Sequence, residues 1–339
     1  MGVDVIDPLH DKRFTHEHAT LNGTKYHYLL AVPEGGYDRT VFLVHGWPDL
    51  SMGWRYQIPL FLSLRCRVVC PDLMGFGRTE APPVPPNPQN MYGFKRAADD
   101  IAELAKQLGA TNIILGGHDW GGAVVYRVAL WHPELITHLF SVCTPYLPPS
   151  KQDFVPLADL VETRLPNFKY QLQLGSGEVQ KHIKSKDDIR EFVNGMFYGR
   201  GANGERIFSV ERGVHFENVG KMGRSPLLND NELEYYVDEY ARNGLEGNLN
   251  WYKTWQSNYE DERQLDHSEI KIPTLFVQAT NDAALPTSMA QGMQQRIPKL
   301  TTKQVEGTHW VLWEKPQEVN DMLKNWLSET GALSNKSSL

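Results

Sequence analysis

The sequence predicts an α/β protein with a mostly parallel sheet, and two patterns carry that prediction. Short apolar runs bounded by turn residues are typical of strands buried on both faces of such a sheet, and they occur at residues 40–44, 67–70 and 112–115. Between the last two runs, residues 92–108 repeat apolar side chains at helical spacing, and Gly109 follows where a helix C-cap is expected. Strand, helix and strand of these lengths form a βαβ unit, which joins parallel strands.

The middle of the chain predicts a helical insertion into this sheet. Residues 146–268 contain few strand-like runs and several helical segments interrupted by glycine and proline. The clearest helical segment is 231–243, which ends before Gly244, and another begins near Asn248. We therefore expect residues 146–268 to form a helical cap domain.

The strand pattern returns after the insertion. Segments 273–277 and 302–305 are strand-like, and Pro316 is a good first residue for a last helix. The sequence thus predicts a core domain of residues 1–145 and 269–339 that is interrupted by the cap.

Composition and charge exclude several classes of protein. The 339 residues are 41% hydrophobic and 22% charged, which is ordinary for a folded globular protein. The net charge of -7 argues against a nucleic-acid partner or an anionic membrane surface, since both favour clustered Lys and Arg. No uninterrupted apolar run reaches about 18 residues, so no membrane span is expected. Neither composition nor periodicity indicates an oligomer interface.

The cysteines and the chain ends bear on the cellular location. Residues 1–22 have no apolar segment of the kind that secretory signals contain. The apolar surroundings of the cysteines favour buried free thiols in a reducing compartment, and these cysteines are Cys66, Cys70 and Cys143. No second Cys/His cluster accompanies the first two, so no metal is expected. We expect a cytoplasmic protein, although residues 337–339 (Ser-Ser-Leu) weakly resemble a peroxisomal address without its basic middle residue.

The run at 112–115 leads into a glycine-flanked turn, Gly-His-Asp-Trp-Gly, at 117–121. Flanking glycines permit the close backbone approach of a sharp strand-to-helix turn, the setting of a nucleophile elbow. Asp119 stands at the apex, where serine is usual. Two roles fit Asp119 from the pattern alone: the nucleophile, or the N-cap of the helix that begins at Trp120.

Two more candidate residues follow other strands. Ligands of an open parallel sheet bind beyond the carboxyl ends of its strands. Asp282 comes just after the strand that ends at Ala279, and His309 comes just after the strand that ends at Val305. A lone histidine is more often a packing residue, but the order Asp119, Asp282, His309 is the nucleophile, acid and base order of a hydrolase triad.

A fourth element, His-Gly-Trp-Pro at 45–48, also follows a strand directly. In hydrolases with this triad order, the corresponding loop supplies one backbone N–H of an oxyanion hole, and the residue after the nucleophile supplies the other. The sequence therefore predicts that the backbone N–H groups of Trp47 and Trp120 form the oxyanion hole, and we expect both residues to contact the substrate.

These motifs resemble the epoxide hydrolase branch of the α/β-hydrolases. The resemblance rests on five motifs: His-Gly-Trp-Pro at 45–48, Trp-Arg-Tyr-Gln-Ile-Pro at 54–59, Asp-Leu-Met-Gly-Phe-Gly-Arg at 72–78, the elbow at 117–122 and Gly-Thr-His at 307–309. It runs through nearly the whole chain and looks closest to the C-terminal hydrolase domain of soluble epoxide hydrolases. It implies the α/β-hydrolase fold with an inserted helical lid. No counterpart of the N-terminal phosphatase domain of the vertebrate enzymes is expected.

In the family that the chain resembles, two lid tyrosines hold the epoxide oxygen. By that resemblance they match Tyr170, in Phe-Lys-Tyr-Gln, and Tyr252, in Asn-Trp-Tyr-Lys, and Phe168 is expected to contact the substrate. Composition alone does not select these two among 14 tyrosines. Without the family, each would be interpreted as a packing tyrosine.

An aspartate at the elbow favours displacement at a saturated carbon. A carboxylate ionises near pH ~4 and needs no base, so it can attack directly and form an ester. His309, oriented by Asp282, then activates water against that ester. The predicted function is conversion of a small apolar epoxide and water into a vicinal diol, without a cofactor, in detoxification or lipid-epoxide metabolism.

Two alternatives to this function stay open. A haloalkane dehalogenase has the same Asp-Trp-Gly-Gly elbow and expels a halide. Against it, Trp47 stands where those enzymes often carry Asn or Glu, and a tyrosine pair suits an alkoxide leaving group, which needs a proton. The second alternative is a hydrolase-like receptor that binds a ligand with little turnover.

Overall fold

The computed structural model describes residues 2–333, and within them the chain forms two compact units. The sheet unit contains the described residues up to Asp72, Ala98–Pro148 and those from Leu265 onward. The cap unit contains Leu73–Ala97 and Pro149–Gln264. Residues 73–97 thus belong to the cap unit although they precede the predicted insertion in the chain. The address-like residues 337–339 lie outside the described residues.

Ten strands lie within residues 2–333. They are β1 (Thr15–Leu21), β2 (Thr24–Ala31), β3 (Arg39–Val44), β4 (Cys66–Pro71), β5 (Ile113–His118), β6 (Ile136–Val142), β7 (Phe208–Ser209), β8 (Gly213–Val214), β9 (Thr274–Ala279) and β10 (Leu300–Val305).

Thirteen α-helices lie in the same described part of the chain. They are α1 (Gln57–Ser63), α2 (Phe94–Gln107), α3 (Trp120–Trp131), α4 (Leu157–Thr163), α5 (Tyr170–Leu174), α6 (Val179–His182), α7 (Lys186–Met196), α8 (Asp230–Asn243), α9 (Glu246–Leu249), α10 (Trp255–Glu262), α11 (Met293–Arg296), α12 (Val311–Glu314) and α13 (Pro316–Glu329). Short 3₁₀ turns occur at Ser51–Trp54, Gln89–Tyr92, Pro133–Leu135, Pro166–Phe168, Phe216–Asn218, Asn250–Lys253 and Thr287–Ala290. None of the helices so described combines the length and apolarity that a membrane crossing requires.

The sheet unit is built on one sheet with the strand order β1-β2-β4-β3-β5-β6-β9-β10. The neighbours from β4 to β10 pair in parallel, and β2 pairs antiparallel with both β1 and β4. The predicted mostly parallel α/β sheet is therefore confirmed. Strands β4, β5 and β9 are buried along their whole length, which explains their continuous apolar runs.

The hairpin of β1 and β2 was not among the predicted elements. A two-residue loop, Asn22-Gly23, joins these strands, and both residues have positive φ (47° and 86°). This is the conformation that two-residue hairpin turns require and that Asn-Gly supplies. The Asn-Gly dipeptide is typical of such a turn, but β1 is partly exposed and contains no apolar run that would indicate a strand.

Three predicted helices are confirmed, with boundaries within two residues of the predicted ones. Helix α2 ends two residues before Gly109, whose φ is 65°. Helix α8 ends at Asn243, immediately before Gly244 with φ 61°. Helix α13 begins at Pro316, as the sequence predicts. In each case a residue with special backbone preferences marks the end of the periodic segment.

The cap unit is mainly helical, as the few strand-like runs in its sequence predict. Its helices are α4 to α10, and its own sheet is the small antiparallel pair of β7 and β8. This hairpin could not be predicted from the sequence, because its strands have two residues each and such strands are too short to show an alternating pattern.

Candidate active site

Asp119 lies at the sharp turn between β5 and α3. Its backbone has φ 55° and ψ -124°, a conformation that residues other than glycine seldom adopt. The turn is tightly packed: a Cβ on Gly117 would lie 2.3 Å from the carbonyl oxygen of Gly121, and a Cβ on Gly121 would lie 2.0 Å from that of Val44. The Asp119 side chain does not make the hydrogen bond to the second or third residue of α3 that defines a side-chain cap.

Two backbone N–H groups converge on the Asp119 carboxylate. The N–H of Trp47 donates to Oδ1 at 2.7 Å, and the N–H of Trp120 also donates to the carboxylate. Trp47 comes this close because Gly46 has no side chain: a Cβ there would lie 2.3 Å from Oδ1. The two N–H groups that the sequence predicts as donors therefore both donate to a carboxylate, a group of the charge that oxyanion-hole donors stabilise.

His309 lies within reach of two carboxylates. Its Nδ1 is 2.7 Å from Asp282 Oδ2, and its Nε2 is 3.5 Å from Asp119 Oδ2. The other oxygen of Asp282 accepts the backbone N–H groups of Ala284 and Leu285 at 2.9 and 3.0 Å, which fixes the carboxylate. This arrangement favours the tautomer in which Nδ1–H donates to Asp282 and Nε2 is directed toward Asp119.

The electrostatics of the three groups are coupled. Burial lowers the pKa of His309, but the charge of Asp282 and its hydrogen bond, together with the charge of Asp119, outweigh burial and raise the pKa to about 9. Burial raises the pKa of Asp119, and the charge of His309 and the two N–H donors oppose that shift without cancelling it. For Asp282, burial is outweighed by the charge and hydrogen bond of His309, so its pKa is lowered.

Asp72 holds the loop that carries Trp47. It opens the Asp-Leu-Met-Gly-Phe-Gly-Arg motif and is almost fully buried. Its Oδ1 accepts the N–H of Ser51 at 2.9 Å, and its Oδ2 lies 2.6 Å from His27 Nδ1. His16 continues this chain of polar contacts, with Nδ1 at 2.8 Å from His27 Nε2. The loop after β3 is thus fixed by the buried side chains of Asp72 and His27, which positions its N–H donor.

His118 and Cys143 support His309, and the sequence analysis gave neither a role. His118 Nε2 lies 2.8 Å from the carbonyl oxygen of His309 and donates to it, and Cys143 Sγ lies 3.5 Å from the same oxygen. Burial, followed by the charge of His309, lowers the pKa of His118 to about 3, so it stays neutral. His118 was visible inside the elbow motif. Cys143 follows β6, a strand that the sequence analysis did not predict.

The ligand atoms of His118, Cys143 and His309 lie within 4.8 Å of one another, a spacing at which a soft cation could be held. However, the first two side chains are both directed at the backbone oxygen of His309. Their observed contacts therefore position His309. All three cysteines of the chain are buried and free, as the sequence predicts.

Asp49 is a third residue that the sequence analysis missed. It is buried just after the His-Gly-Trp-Pro loop, and its Oδ1 accepts the N–H of Leu50 at 2.7 Å. Its charge is one of the contributions that raise the pKa of His309. A single carboxylate after a turn carries no specific signal, so only the three-dimensional structure identifies it.

The two tyrosines singled out by resemblance come together in the cap unit. Tyr170 is the first residue of α5, and Tyr252 lies in the 3₁₀ turn Asn250–Lys253. Their ring centroids are 6.1 Å apart with an interplanar angle of 70°, and both rings are buried. Phe168, two residues before Tyr170, is buried as well.

Comparisons with known proteins give a consistent result. The sequence profile of the alpha/beta hydrolase fold matches residues 39–187, and one described as TAP-like protein matches residues 239–337. Epoxide hydrolase srdG of Neurospora crassa is 38% identical to this chain, over 97% of the chain and 99% of the relative. Bifunctional epoxide hydrolase 2 of Rattus norvegicus is 28% identical over 92% of this chain, which spans 55% of that relative's length.

The solved structures agree with the sequences. The crystal structure of Epoxide Hydrolase A from Mycobacterium thermoresistibile is similar to this chain with a TM-score of 0.79 and 25% identity, over 93% of this chain and 98% of that one. Epoxide hydrolase VrEH1 from Vigna radiata has a TM-score of 0.78 at 22% identity and supports the fold.

Proposed function

The chain belongs to the epoxide hydrolase family, enzymes of the α/β-hydrolase fold that hydrolyse epoxides, and on that premise we propose that it acts through a covalent ester on Asp119. Family membership favours an epoxide over a halide as the group that the carboxylate displaces. The observation that carries the mechanism is the placement of the two Asp119 oxygens. Oδ1 accepts the N–H of Trp47, whereas Oδ2 lies beside His309 Nε2.

In the first step, Asp119 Oδ2 attacks a carbon of the epoxide. The new Oδ2–carbon bond forms as the bond from that carbon to the epoxide oxygen breaks, and the product is an ester that carries an alkoxide. Oδ1 becomes the carbonyl oxygen of the ester; it already accepts the N–H of Trp47, and the N–H of Trp120 donates to the same carboxylate. The substrate-binding role that the sequence predicts for both residues fits this arrangement.

The alkoxide needs a proton, and we assign its delivery to Tyr170 and Tyr252. Two phenols whose rings are 6.1 Å apart have the spacing to share one acceptor oxygen between their hydroxyl groups. Gln171 Nε2 lies 3.4 Å from Tyr170 Oη, and a donor there stabilises the negative charge that grows as the phenol releases its proton. General-acid help of this kind contributes roughly 10²–10⁴ in rate.

Ester formation also converts His309 into a base. The charge of Asp119 is one cause of the raised pKa of His309. An ester has no charge, so its formation removes that contribution and the pKa of His309 falls. The imidazole then loses its proton at a lower pH than in the resting enzyme, at the step that requires a base.

In the second step, His309 takes a proton from water, and the hydroxide attacks Cγ of Asp119. The negative charge that develops on Oδ1 is stabilised by the two N–H donors, each worth roughly 10²–10³ in rate. Cγ–Oδ2 then breaks, and His309 returns its proton to the leaving diol oxygen. The second proton of the water leaves with the Asp119 carboxyl group and replaces the one that the phenol gave.

Isotope labelling in a single turnover tests this mechanism. With enzyme in excess over epoxide in ¹⁸O-water, the first diol should contain no ¹⁸O, because its new oxygen is Oδ2 of Asp119. The label should instead enter the enzyme, where the peptide that contains Asp119 gains it. Transfer of the labelled enzyme to ordinary water and a second turnover should then release labelled diol. A first diol that carries the full label would rule out the ester, since water would have attacked the epoxide directly.

A further inference from the structure

The hairpin of β7 and β8 is fastened to the helix that carries Tyr170. The side-chain amide of Gln173, on α5, makes two hydrogen bonds to one residue of the hairpin. Its Oε1 accepts the N–H of Val214 at 2.6 Å, and its Nε2 donates to the carbonyl oxygen of Val214 at 3.0 Å. The amide therefore occupies the place that the backbone of a neighbouring strand would take beside β8.

The fit between the amide and the hairpin is close. A Cβ at Gly213 would lie 2.2 Å from Gln173 Oε1, and Gly213 has φ 92°, which disfavours any other residue. Val214 is fully buried, so its backbone groups would be costly to leave without partners. Within the cap unit, the hairpin thus depends on Gln173 for the satisfaction of both polar groups of Val214.

The same hairpin contacts Tyr170 at two other points. The N–H of Tyr170, in the first turn of α5 where no intrahelical partner exists, donates to the carbonyl oxygen of Val210 at 3.1 Å. The ring of Phe208 packs edge-on against the ring of Tyr170, with centroids 5.3 Å apart and an interplanar angle of 76°. One contact fixes the backbone of Tyr170, and the other fixes the direction of its ring.

We infer that Gln173 is a positioning residue for Tyr170: its amide fixes the hairpin, and the hairpin orients the phenol that delivers the proton. This inference rests on the proposed role of Tyr170 in opening the epoxide. Gln173 itself need not touch the substrate. Loss of its amide frees Val214, lets Phe208 move away from the Tyr170 ring, and displaces the phenol from the geometry that proton transfer requires. Small misplacements of a reacting group cost up to about 10²-fold in rate.

The test measures ring opening alone, in enzyme that carries His309→Gln so that the ester accumulates without hydrolysis. Gln173→Met removes both hydrogen bonds and keeps the length of the side chain. We expect it to slow ester formation about tenfold, measured by rapid quench and intact-protein mass. The matched control is Gln256→Met in α10, whose amide donates to the side chain of Glu260 in an exposed position and which should stay within about twofold of the parent.

A double-mutant cycle separates positioning from a general loss of structure. If Gln173 acts through Tyr170, Gln173→Met should have less than about a twofold effect once Tyr170→Phe has removed the phenol. An undiminished tenfold effect in that background, or no effect of Gln173→Met beside a normal Tyr170, would overturn the inference. If Tyr170→Phe alone leaves ring opening unchanged, the proposed role of Tyr170 fails and the inference fails with it. Should Gln173→Met not fold, Gln173→Glu, which keeps the acceptor and loses the donor, replaces it in the same cycle.

Discussion

The sheet unit and the cap unit hold the side chains of the proposed mechanism in different ways. In the sheet unit, Asp119, Asp282 and His309 each follow a parallel strand, and direct polar contacts of 2.7–3.5 Å link them. In the cap unit, Tyr170 and Tyr252 lie on short helical pieces and contact each other through their rings. The first arrangement is fixed by the ladder of a large sheet. The second depends on aromatic packing and on a hairpin whose strands have two residues each.

This difference suggests a division of labour between the two half-reactions. In the proposed mechanism, ester hydrolysis uses the base, its partner carboxylate and the N–H donors, all of which belong to the sheet unit. The proposed ring opening uses the nucleophile Asp119 and, in addition, the phenols of Tyr170 and Tyr252. Changes in the cap unit should therefore slow the first step selectively, whereas changes around His309 should slow the second.

Replacement of the nucleophile should have the largest effect because it stops both half-reactions. Asp119→Asn keeps the size of the side chain and the acceptor for the N–H of Trp47 but has no charged oxygen for attack. We expect kcat to fall on the order of 10⁴-fold or more, with no ester detectable by intact-protein mass. Circular dichroism and thermal unfolding should match the parent. Diol formation at more than a tenth of the normal rate would contradict covalent catalysis by Asp119.

His309→Gln should separate the two steps. Ring opening uses the ionised carboxylate and the phenols, so it should continue, whereas ester hydrolysis loses its base and should slow roughly 10²–10⁴-fold. The protein should therefore gain the mass of one substrate molecule and release diol very slowly. His132→Gln is the control, because His132 pairs with Asp99 at the surface and should leave both steps unchanged. A variant that neither gains mass nor releases diol would show that His309 is needed for ring opening as well.

The two regions also differ in how far the sequence could predict them. Residues that follow strands in an open sheet must meet at one edge, so the order of Asp119, Asp282 and His309 carried a physical argument for a triad. No such argument could select the two tyrosines, because 14 tyrosines are present. Their positions on short helical segments follow from packing within the cap unit, which no sequence periodicity indicates. Resemblance alone selected Tyr170 and Tyr252.

Hydrogen bonds from side chains to distant backbone atoms could not be predicted from the sequence either. Whether His118 reaches the carbonyl oxygen of His309, or Gln173 reaches both polar groups of Val214, depends on segments far apart in sequence. Side chains that hydrogen-bond to distant backbone leave no pattern in spacing or hydropathy. The hairpin that carries Val214 has strands of two residues, so even its existence had no sequence signature.

Tyr252→Phe should slow only ring opening, which sharpens the contrast with His309→Gln. The second phenol still supplies some general-acid help, so we expect a loss of about 10², at the low end for such catalysis. Single-turnover experiments that follow ester formation and decay should show a slower first phase and an unchanged second phase. Tyr259→Phe is the matched control in the cap unit, because its hydroxyl donates to the carbonyl oxygen of Gln152 in an exposed position. An equal slowing of both phases by Tyr252→Phe would show that the two half-reactions are not divided between the units.

The smallest expected effect is a shift in pH dependence from Asp49. Its charge raises the pKa of His309, so Asp49→Asn should lower that pKa, while the amide oxygen keeps an acceptor for the N–H of Leu50. Ester hydrolysis requires neutral His309 and therefore gains rate as pH rises through the pKa of this group. The acid limb of the hydrolysis step should move to lower pH in the variant, and ring opening, which does not use the base, should keep its pH profile. Asp38→Asn at the surface, where Asp38 pairs with Arg65, should leave both profiles in place. A limb that moves to higher pH would mean that Asp49 does not act on His309 through its charge, because removal of a nearby negative charge can only make an imidazolium easier to deprotonate.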